Sequence, residues 1–426
     1  MLNKKILIIT YYWPPAGGPG VQRWLKFVKY LPDYGFQPIV YVPKNPTYPI
    51  IDDGLVAEIS SEAIVLKHKI FEPYQIATFF SKNKTKNISA GIIPNQKKQT
   101  FIVKFLLWIR GNIFIPDARF LWVKPSVKFL QDYIIANNIQ TIITSGPPHS
   151  LHLIGLQLQQ GLNIRWLADF RDPWTTIGYH KQLKLSSFAE KKHKKLEHQV
   201  LNAADAIIVT SKSTKIEFEK ITVKPISVIT NGFDQEAISK QTLDSKFSLA
   251  HIGSFLSERN PKILWEVLSE LCLETDDFKN NLQIKLIGAV SDTIFQTIAD
   301  FNLTDSFLNL GYISHQAAVV EQRKSQVLLL IEIDSHDTKS IIPGKLFEYL
   351  VSGRPIVAIG PQGSDFAEII IQTNTGAFFE YHQKQLLKEK IIAYYNLFLK
   401  QNLFVDAIGI DQYSRKNLTR ALTKLL

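Results

Sequence analysis

The chain has 426 residues, of which 45% are hydrophobic and 20% charged, so it is long enough for two folded domains and has an ordinary globular composition. A single cysteine, Cys272, excludes a disulfide framework. We predict neither a signal peptide nor a membrane-spanning segment, because no apolar run reaches the roughly 20 residues that cross a bilayer. The net charge of +11 favours phosphorylated ligands, anionic lipid or nucleic acid as partners.

The first 42 residues predict a strand–loop–helix–strand unit. Residues 5–10 form a short apolar strand, and residues 11–20 are a loop rich in glycine and proline. The apolar residues that follow recur at helical spacing, and they are Val21, Trp24, Leu25, Val28 and Leu31. Residues 38–42 form the next strand, so the unit indicates a parallel sheet.

The same rhythm continues to the end of the chain. Further strands are predicted at residues 141–144, 164–168, 206–210, 226–230, 249–252, 284–287, 307–310, 327–331 and 356–359. The polar stretch 235–244 divides them into two Rossmann-like domains, 1–234 and 235–405, and a helix at about 406–426 is expected to pack back on the first domain. The predicted fold class is α/β, with two Rossmann-like domains facing a central cleft where strand ends gather ligands.

A basic segment lies between Glu72 and Asp117, where the chain has no acidic residue. Its cations are Lys82, Lys84, Lys86, Lys97, Lys98, Lys104 and Arg110, and it includes the aromatic-rich apolar stretch 101–109. This combination is typical of an interfacial membrane anchor, and a basic loop followed by a core helix is the alternative. Nucleic acid is not an expected partner, because no recognisable binding module occurs.

Residues 343–359 predict a loop, a short helix opened by Gly344, and a buried strand. Lys345 and Glu348 are three residues apart, so they share one face of the helix near its N-terminus. Such a helix end with a lysine attracts anions, and the glutamate can accept hydrogen bonds from sugar hydroxyls. The pattern suits a nucleotide diphosphate, and a surface ion pair between Lys345 and Glu348 is the alternative.

Several short motifs, taken in order, resemble the family 4 glycosyltransferases of the bacterial surface-polysaccharide type. They lie at residues 12–18, 145–149, 168–174, 231–234, 251–254, 259–261 and 345–348. The resemblance implies the GT-B fold, a nucleotide-sugar donor held by the C-terminal half, and a glycan or lipid-linked glycan acceptor held by the N-terminal half. It also implies retention of anomeric configuration, no obligatory metal or cofactor, and a location at the cytoplasmic face of the plasma membrane, where an anionic surface is a further partner.

In the second domain, the resemblance implies a donor site. Glu348 matches the family glutamate that holds the ribose, whereas the first glutamate of that motif falls on Ser340, which leaves the donor sugar undefined. Lys345 and Arg259 are candidates for the diphosphate, with a solvated loop arginine as the alternative for Arg259. Backbone N–H groups are expected to approach the phosphates at Gly253, Ser254 and Gly344. The nearest approach to a metal-binding Asp-x-Asp pair is Glu332 with Asp334, which more simply ends a strand.

In the first domain, His149 matches the family histidine that lies near the transferring sugar. Asp169, Arg171 and Asp172 either orient the acceptor or form a salt-bridged turn before a proline. Gly17 and Gly18 either bring backbone N–H groups to a ligand or form a plain turn, and Arg23 faces phosphate or solvent. Catalytic roles are thus predicted for His149, Asp169, Arg259 and Lys345, and substrate binding for Gly17, Gly18, Arg23, Arg171, Asp172, Gly253, Ser254, Gly344 and Glu348, with no metal ligand.

Two alternatives to a retaining glycosyltransferase remain open from the sequence. A GT-B sugar-nucleotide epimerase would need no acceptor glycan and no membrane. A non-catalytic GT-B-like protein that binds a partner would explain Ser340.

Overall fold

The structure is a computed structural model, and it describes residues 4–71, 101–234 and 241–426. The chain divides into two compact units. Unit 1 is Met1–Asn231 together with Arg415–Leu426, and unit 2 is Gly232–Ser414.

Unit 1 is built on a seven-stranded parallel sheet with the order β3-β2-β1-β4-β5-β6-β7. Its strands are β1 (Lys4–Thr10), β2 (Phe36–Pro43), β3 (Ile64–His68), β4 (Thr141–Gly146), β5 (Arg165–Phe170), β6 (Ala206–Val209) and β7 (Ile226–Val228). Its helices up to that point are α1 (Pro19–Tyr30), α2 (Phe101–Asn112), α3 (Val123–Asn137), α4 (Ser150–Gly161), α5 (Ser187–Ala203) and α6 (Lys212–Phe218).

Unit 2 is built on a six-stranded parallel sheet with the order β10-β9-β8-β11-β12-β13. Its strands are β8 (Phe247–Ile252), β9 (Leu282–Ile287), β10 (Phe307–Gly311), β11 (Val327–Ile331), β12 (Ile356–Gly360) and β13 (Gly376–Glu380). Its helices are α7 (Lys262–Glu274), α8 (Asp276–Asn281), α9 (Asp292–Asp300), α10 (His315–Lys324), α11 (Lys345–Leu350), α12 (Asp365–Gln372) and α13 (Lys384–Leu399).

Each sheet reverses its strand order once, between β1 and β4 in unit 1 and between β8 and β11 in unit 2. The strands at these reversals are almost wholly buried, because apolar clusters cover both sheet faces. In open parallel sheets the loops beyond the carboxyl ends of such strands diverge and leave room for a ligand. The fold therefore has one candidate binding edge in each unit.

The chain returns to unit 1 through its last helix, α14 (Arg415–Thr423). Leu418 and Leu422 of α14 lie in the same apolar cluster as Trp24 of α1. Arg415 Nη2 donates to Gln22 Oε1 at 2.7 Å, so polar and apolar contacts both hold α14 against α1.

The predicted α/β class is confirmed, but two strands were not predicted. β3 and β13 are the outermost strands at one side of each sheet, and their residues are mostly part-exposed. Each carries only a short apolar stretch next to glycine or charged residues, which is a weaker signal than the longer apolar run of a central strand.

The apolar part of the basic segment forms α2. Leu107 packs against Leu183, whereas the residues Phe105 and Trp108 are 53% and 42% exposed, and their rings stack at 6.5 Å. Residues 82–98 of the predicted anchor lie outside the described residues. Among the described helices, none has the length and apolar character needed to span a membrane.

Candidate active site

The loop after β1 is held by backbone pairing to a later segment. The Gly17 amide donates to Ile50 O at 3.0 Å, and the Asp52 amide donates to Pro15 O at 2.8 Å. A Cβ on Gly17 would lie 2.9 Å from Ile50 Cγ2. Gly17 is therefore needed for close packing and its amide is already used, contrary to its predicted role toward a ligand. Gly18 caps α1 with φ of 100°, which strongly favours glycine.

Arg23 lies beneath the site, buried against Asp169. Its Nη2 is 2.9 Å from Asp169 Oδ1, its Nε is 3.3 Å from Oδ2, and its Nη1 donates to Thr230 O at 2.8 Å. The prediction that Arg23 faces phosphate or solvent is wrong, because all three guanidinium nitrogens are used within unit 1.

Asp169 also accepts hydrogen bonds from Trp24 Nε1 and Ser145 Oγ, both at 2.8 Å. Burial raises the pKa of this carboxyl, but the charge and hydrogen bonds of Arg23, with those from Ser145 and Trp24, lower it below the ordinary value overall. The carboxylate stays ionised and fully enclosed. Asp169 thus has the geometry of a positioning residue joining α1, β4 and β5, rather than the predicted catalytic group.

Arg171 contacts both the loop that follows β1 and the loop that follows β4. Its Nε donates to Gly146 O at 3.2 Å, its Nη2 donates to Pro147 O, and its guanidinium lies 5.8 Å from the Tyr12 ring centroid. A Cβ on Gly20 would lie 1.8 Å from Arg171 Nη1, so only glycine leaves room for this arrangement.

The predicted alternation of charges from Asp169 to Asp172 does not close into a salt-bridged turn. Asp169 pairs with Arg23, and Arg171 bonds carbonyl oxygens. Asp172 makes no hydrogen bond through its side chain to another described residue, and burial raises its pKa although the charge of Arg171 opposes that. Asp172 is therefore the carboxylate of this loop with capacity to bind a ligand.

His149 immediately precedes α4 and is 5% exposed. Its ring stacks on Trp174 at 5.0 Å with 4° between the planes, and on Phe170 at 5.9 Å. Burial lowers its pKa well below the ordinary value, and the charges of His152, His180, Arg171 and His193 act in the same direction. Neither ring nitrogen has a hydrogen-bond partner among the described residues. The lowered pKa keeps the His149 imidazole neutral. Because buried polar atoms normally have partners, its two unpaired ring nitrogens are suited to a ligand hydroxyl.

The polar side chains next to His149 have structural roles. Asp117 accepts from the Ser150 amide at 2.8 Å and from Ser150 Oγ at 2.9 Å, so it caps α4. His152 Nδ1 lies 2.8 Å from Thr144 Oγ1, which accepts from Trp166 Nε1 at 2.9 Å. Burial lowers the pKa of His152 to about 3, so this imidazole is neutral.

At the carboxyl end of β8 in unit 2, Lys345 reaches the buried His251. Lys345 Nζ is 2.8 Å from His251 Nε2, and it would be 3.4 Å from a Cβ on Gly253, whose φ is 109°. Burial and then the charge of Arg259 lower the pKa of Lys345 to about 7, although Glu332 and Glu348 oppose them. Lys345 is therefore an amine that an arriving anion would fully protonate.

Arg259 forms a bidentate ion pair with Glu332 at the end of β11. Its Nε and Nη2 lie 3.1–3.2 Å from the two carboxylate oxygens, and Glu332 Oε1 also accepts from the Ile333 amide at 2.9 Å. The Arg259 side chain is 23% exposed and Glu332 is fully buried. The alternative of a solvated Arg259 is wrong. Its Nη1 makes no hydrogen bond to a described residue, which leaves one donor edge for a ligand.

Glu348 and Lys345 do not pair with each other. Glu348 Oε2 accepts from Gln322 Nε2 at 2.8 Å, and Lys345 contacts His251 instead. The alternative of a surface ion pair is therefore wrong. Gly344 lies directly before α11, and Ser254 is exposed beyond β8.

Sequence reasoning missed His251 and Glu332 as members of the unit 2 cluster. Both stand at the carboxyl ends of the two strands that flank the sheet reversal, which is the signal that could have found them. Within the described part of the chain, no group of three or more His, Cys, Asp or Glu side chains could hold a metal ion.

Solved structures of other proteins share this fold. Sucrose-phosphate synthase from Thermosynechococcus elongatus superposes with a TM-score of 0.61 at 14% identity, covering 99% of this chain and 98% of that one. A glycosyltransferase from Rickettsia africae superposes with a TM-score of 0.58 at 14% identity, covering 99% of this chain and 97% of that one. S. aureus TarM, solved with UDP and alpha-GlcNAc-glycerol among its ligands, superposes with a TM-score of 0.59 at 14% identity, covering 99% of both chains.

The chain has the GT-B fold. Residues 94–237, which include His149, Asp169 and Arg171, also match the model of Glycosyltransferase Family 4. A search of curated proteins by sequence gave no significant match. In this GT-B protein the two cations of unit 2, Lys345 and Arg259, lie at the sheet reversal of that unit. The imidazole of His149 lies at the sheet reversal of unit 1.

Proposed function

We propose that the protein is a retaining glycosyltransferase that moves a sugar from a nucleotide diphosphate sugar to a glycan or lipid-linked glycan, in the synthesis of cell-surface polysaccharide. The observation that carries the proposal is the pair of cations, Lys345 and Arg259, at the sheet reversal of unit 2. The GT-B fold and the match of residues 94–237 to a glycosyltransferase family support it.

In this proposal unit 2 binds the donor. Lys345 and the Nη1 edge of Arg259 neutralise the diphosphate, and anion binding raises the pKa of Lys345 from about 7, so the amine is charged in the complex. Glu348 Oε1 makes no hydrogen bond to a described residue, so it is available to the ribose hydroxyls.

Unit 1 binds the acceptor through His149 and Asp172, which keep free hydrogen-bonding capacity. In a front-face displacement the acceptor hydroxyl attacks on the side from which the diphosphate departs, and a phosphate oxygen takes its proton. Such a step needs no strong protein base, which agrees with an Asp169 that is already saturated by its donors.

We further propose that Lys345 and Arg259 carry the electrostatic role that a divalent ion has in metal-dependent transferases. Full transferase activity in excess EDTA is the expected result. Loss of activity in EDTA that Mg²⁺ or Mn²⁺ restores would contradict this part of the proposal.

The location proposed is the cytoplasmic membrane face. The exposed, stacked rings of Phe105 and Trp108 on α2 suit the headgroup region of an anionic bilayer. Co-sedimentation with phosphatidylglycerol vesicles should be lost in a Phe105→Ser/Trp108→Ser variant, whereas unchanged binding would remove α2 from the proposal.

The test of function is a binding and turnover panel. Nucleoside diphosphates and their sugars are screened by thermal shift, and the best donor is then incubated with and without glycan acceptors. Glu348→Ala should abolish turnover, and Glu389→Ala, an exposed glutamate on α13, is the matched control. Formation of an epimer without acceptor would favour the epimerase, and donor binding without any turnover would favour a scaffold.

A further inference from the structure

We propose that His251 is a positioning residue for the donor diphosphate, holding the Lys345 ammonium at the end of β8. This inference rests on the proposed function, because it assumes that Lys345 binds the diphosphate. It assigns a role to a buried side chain outside the predicted site.

The geometry determines which nitrogen of His251 acts. When Lys345 is charged, its ammonium group can only donate, so at 2.8 Å from Lys345 Nζ the Nε2 atom is then the acceptor, and the imidazole proton lies on Nδ1. Nδ1 is buried and has no hydrogen-bond partner among the described residues. His251 therefore carries one satisfied nitrogen, directed at Lys345, and one unsatisfied nitrogen.

Packing alone does not account for a histidine at this position. The ring stacks on Phe255 at 4.0 Å with 18° between the planes and is fully buried. A phenylalanine would make the same stack without burying an unpaired N–H, which costs folding free energy. The feature that histidine adds is the Nε2 acceptor, and its described partner is Lys345.

The contact restricts a side chain that would otherwise sample many rotamers. Lys345 Cε and Nζ lie 3.7 and 3.4 Å from the Cβ position of Gly253, so the amine is confined between the β8 turn and His251. A lysine already held in place loses less conformational entropy when an anion binds. His251 thereby increases donor affinity without touching the donor.

The charge of Lys345 depends on groups from every neighbouring element. Arg259 after β8 disfavours the ammonium, while Glu332 at the end of β11 and Glu348 on α11 favour it. A hydrogen bond to neutral His251 also favours the charged form. Since the diphosphate requires the ammonium, donor affinity should fall as pH rises through the pKa of Lys345, and it should fall at a lower pH when the acceptor is removed.

The experiment measures binding of UDP-glucose, GDP-mannose and ADP-glucose by titration calorimetry from about pH 6 to 9, where the sugar diphosphate keeps constant charge. His251→Phe keeps the stack and removes the acceptor, so affinity for the bound donor should fall about tenfold and the pH midpoint should move down. His251→Gln keeps an acceptor oxygen near Nε2 and should stay within about threefold of wild type. His382→Gln, with its side chain 76% exposed, is the control histidine.

A second measurement distinguishes a specific effect of His251→Phe on donor binding from misfolding of the variant. Lys345→Met should weaken donor binding and flatten its pH dependence, and adding His251→Phe should then cause no further loss, because the two residues act as one unit. In turnover the His251→Phe defect should appear in KM for the donor, with kcat little changed.

The outcomes distinguish a failure of the proposed glycosyltransferase function from a failure of the role proposed for His251. If wild type binds none of the three donors and no other nucleotide sugar of the panel, the proposed function fails and this inference falls with it. If Lys345→Met weakens binding but His251→Phe matches wild type in affinity and midpoint, or if the two losses add, only the role of His251 is overturned.

Discussion

Arg23 and Asp169 form a bidentate ion pair in which the two side chains are 1% and 0% exposed. The pair ties the second turn of α1 to the end of β5, and Ser145 on β4 donates to the same carboxylate. Three elements at the sheet reversal of unit 1 thus share one buried charge centre. The loops above it, with His149 and Arg171, depend on this centre for their placement.

Removal of one partner should destabilise unit 1 severely. Asp169→Ala leaves the Arg23 guanidinium buried without its counter-charge, and we expect the free energy of unfolding to drop by about 3–5 kcal/mol. Urea denaturation measures the drop. Glu190→Ala, which breaks the exposed pair with Lys194, should show no measurable change, and equal stability of the two variants would disprove the structural role.

Acid should destabilise unit 1 through its buried histidines. His152 has an ordinary pKa of 6.5 when unfolded and about 3 when folded, so its contribution is complete above pH 6.5 and is lost as pH falls below that value. Between pH 7 and 5 this residue alone should cost about 2 kcal/mol.

His152→Asn tests this dependence, because it places an acceptor oxygen near Thr144 Oγ1 and has no titration in this range. The fall in unfolding free energy between pH 7 and 5 should be smaller in the variant by about 2 kcal/mol. His180 and His193 remain in both proteins and cancel in the comparison, whereas His149 loses its repulsion from His152 in the variant, which reduces the acid loss in the same direction. An identical pH slope would contradict a neutral, buried His152.

Gly20→Ala should damage activity more than stability. The new methyl group would meet Arg171 Nη1 at 1.8 Å and expel the guanidinium from the Gly146 and Pro147 carbonyls. We expect kcat/KM for the acceptor to fall at least about tenfold because the loops lose their alignment. The loss of unfolding free energy should be about 1–2 kcal/mol.

The matched control for that substitution is Gly161→Ala at the exposed end of α4. The nearest atom there is the mobile end of the Gln131 side chain. Wild-type kinetics are expected for this control. Equal kinetics of Gly20→Ala and Gly161→Ala would show that Arg171 is not needed where it lies.

The Arg259–Glu332 pair allows structure and ligand binding to be separated. Arg259→Met strands a buried carboxylate and should cost unit 2 about 3–5 kcal/mol, whereas Arg259→Met/Glu332→Leu should regain most of that loss. Both variants lack the cation, so both should bind a nucleoside diphosphate weakly. Calorimetry on the refolded double variant measures this, and wild-type affinity there would exclude Arg259 from the donor site.

Sequence pattern was sufficient for most of the architecture. Central strands such as β11 and β12 are continuous apolar runs, and Gly253 marks a sharp turn after β8, so each is visible locally. The strands β3 and β13 were missed, because their apolar stretches are short and end in charged or polar residues. The positions of His149 and Asp172 after strands, and of Lys345 at a helix N-terminus, were also within reach of the sequence.

The pairing of charges was not within reach of the sequence. Arg23 meets Asp169 across 146 residues, and Lys345 meets His251 across 94. Periodicity is a property of neighbouring residues, so the sequence by itself determined the parallel α/β units and which polar groups stand at their strand ends. Only the tertiary structure decided which of those groups neutralise one another and which stay available, because that depends on the spatial order of the strands, and strands adjacent in a parallel sheet are distant along the chain.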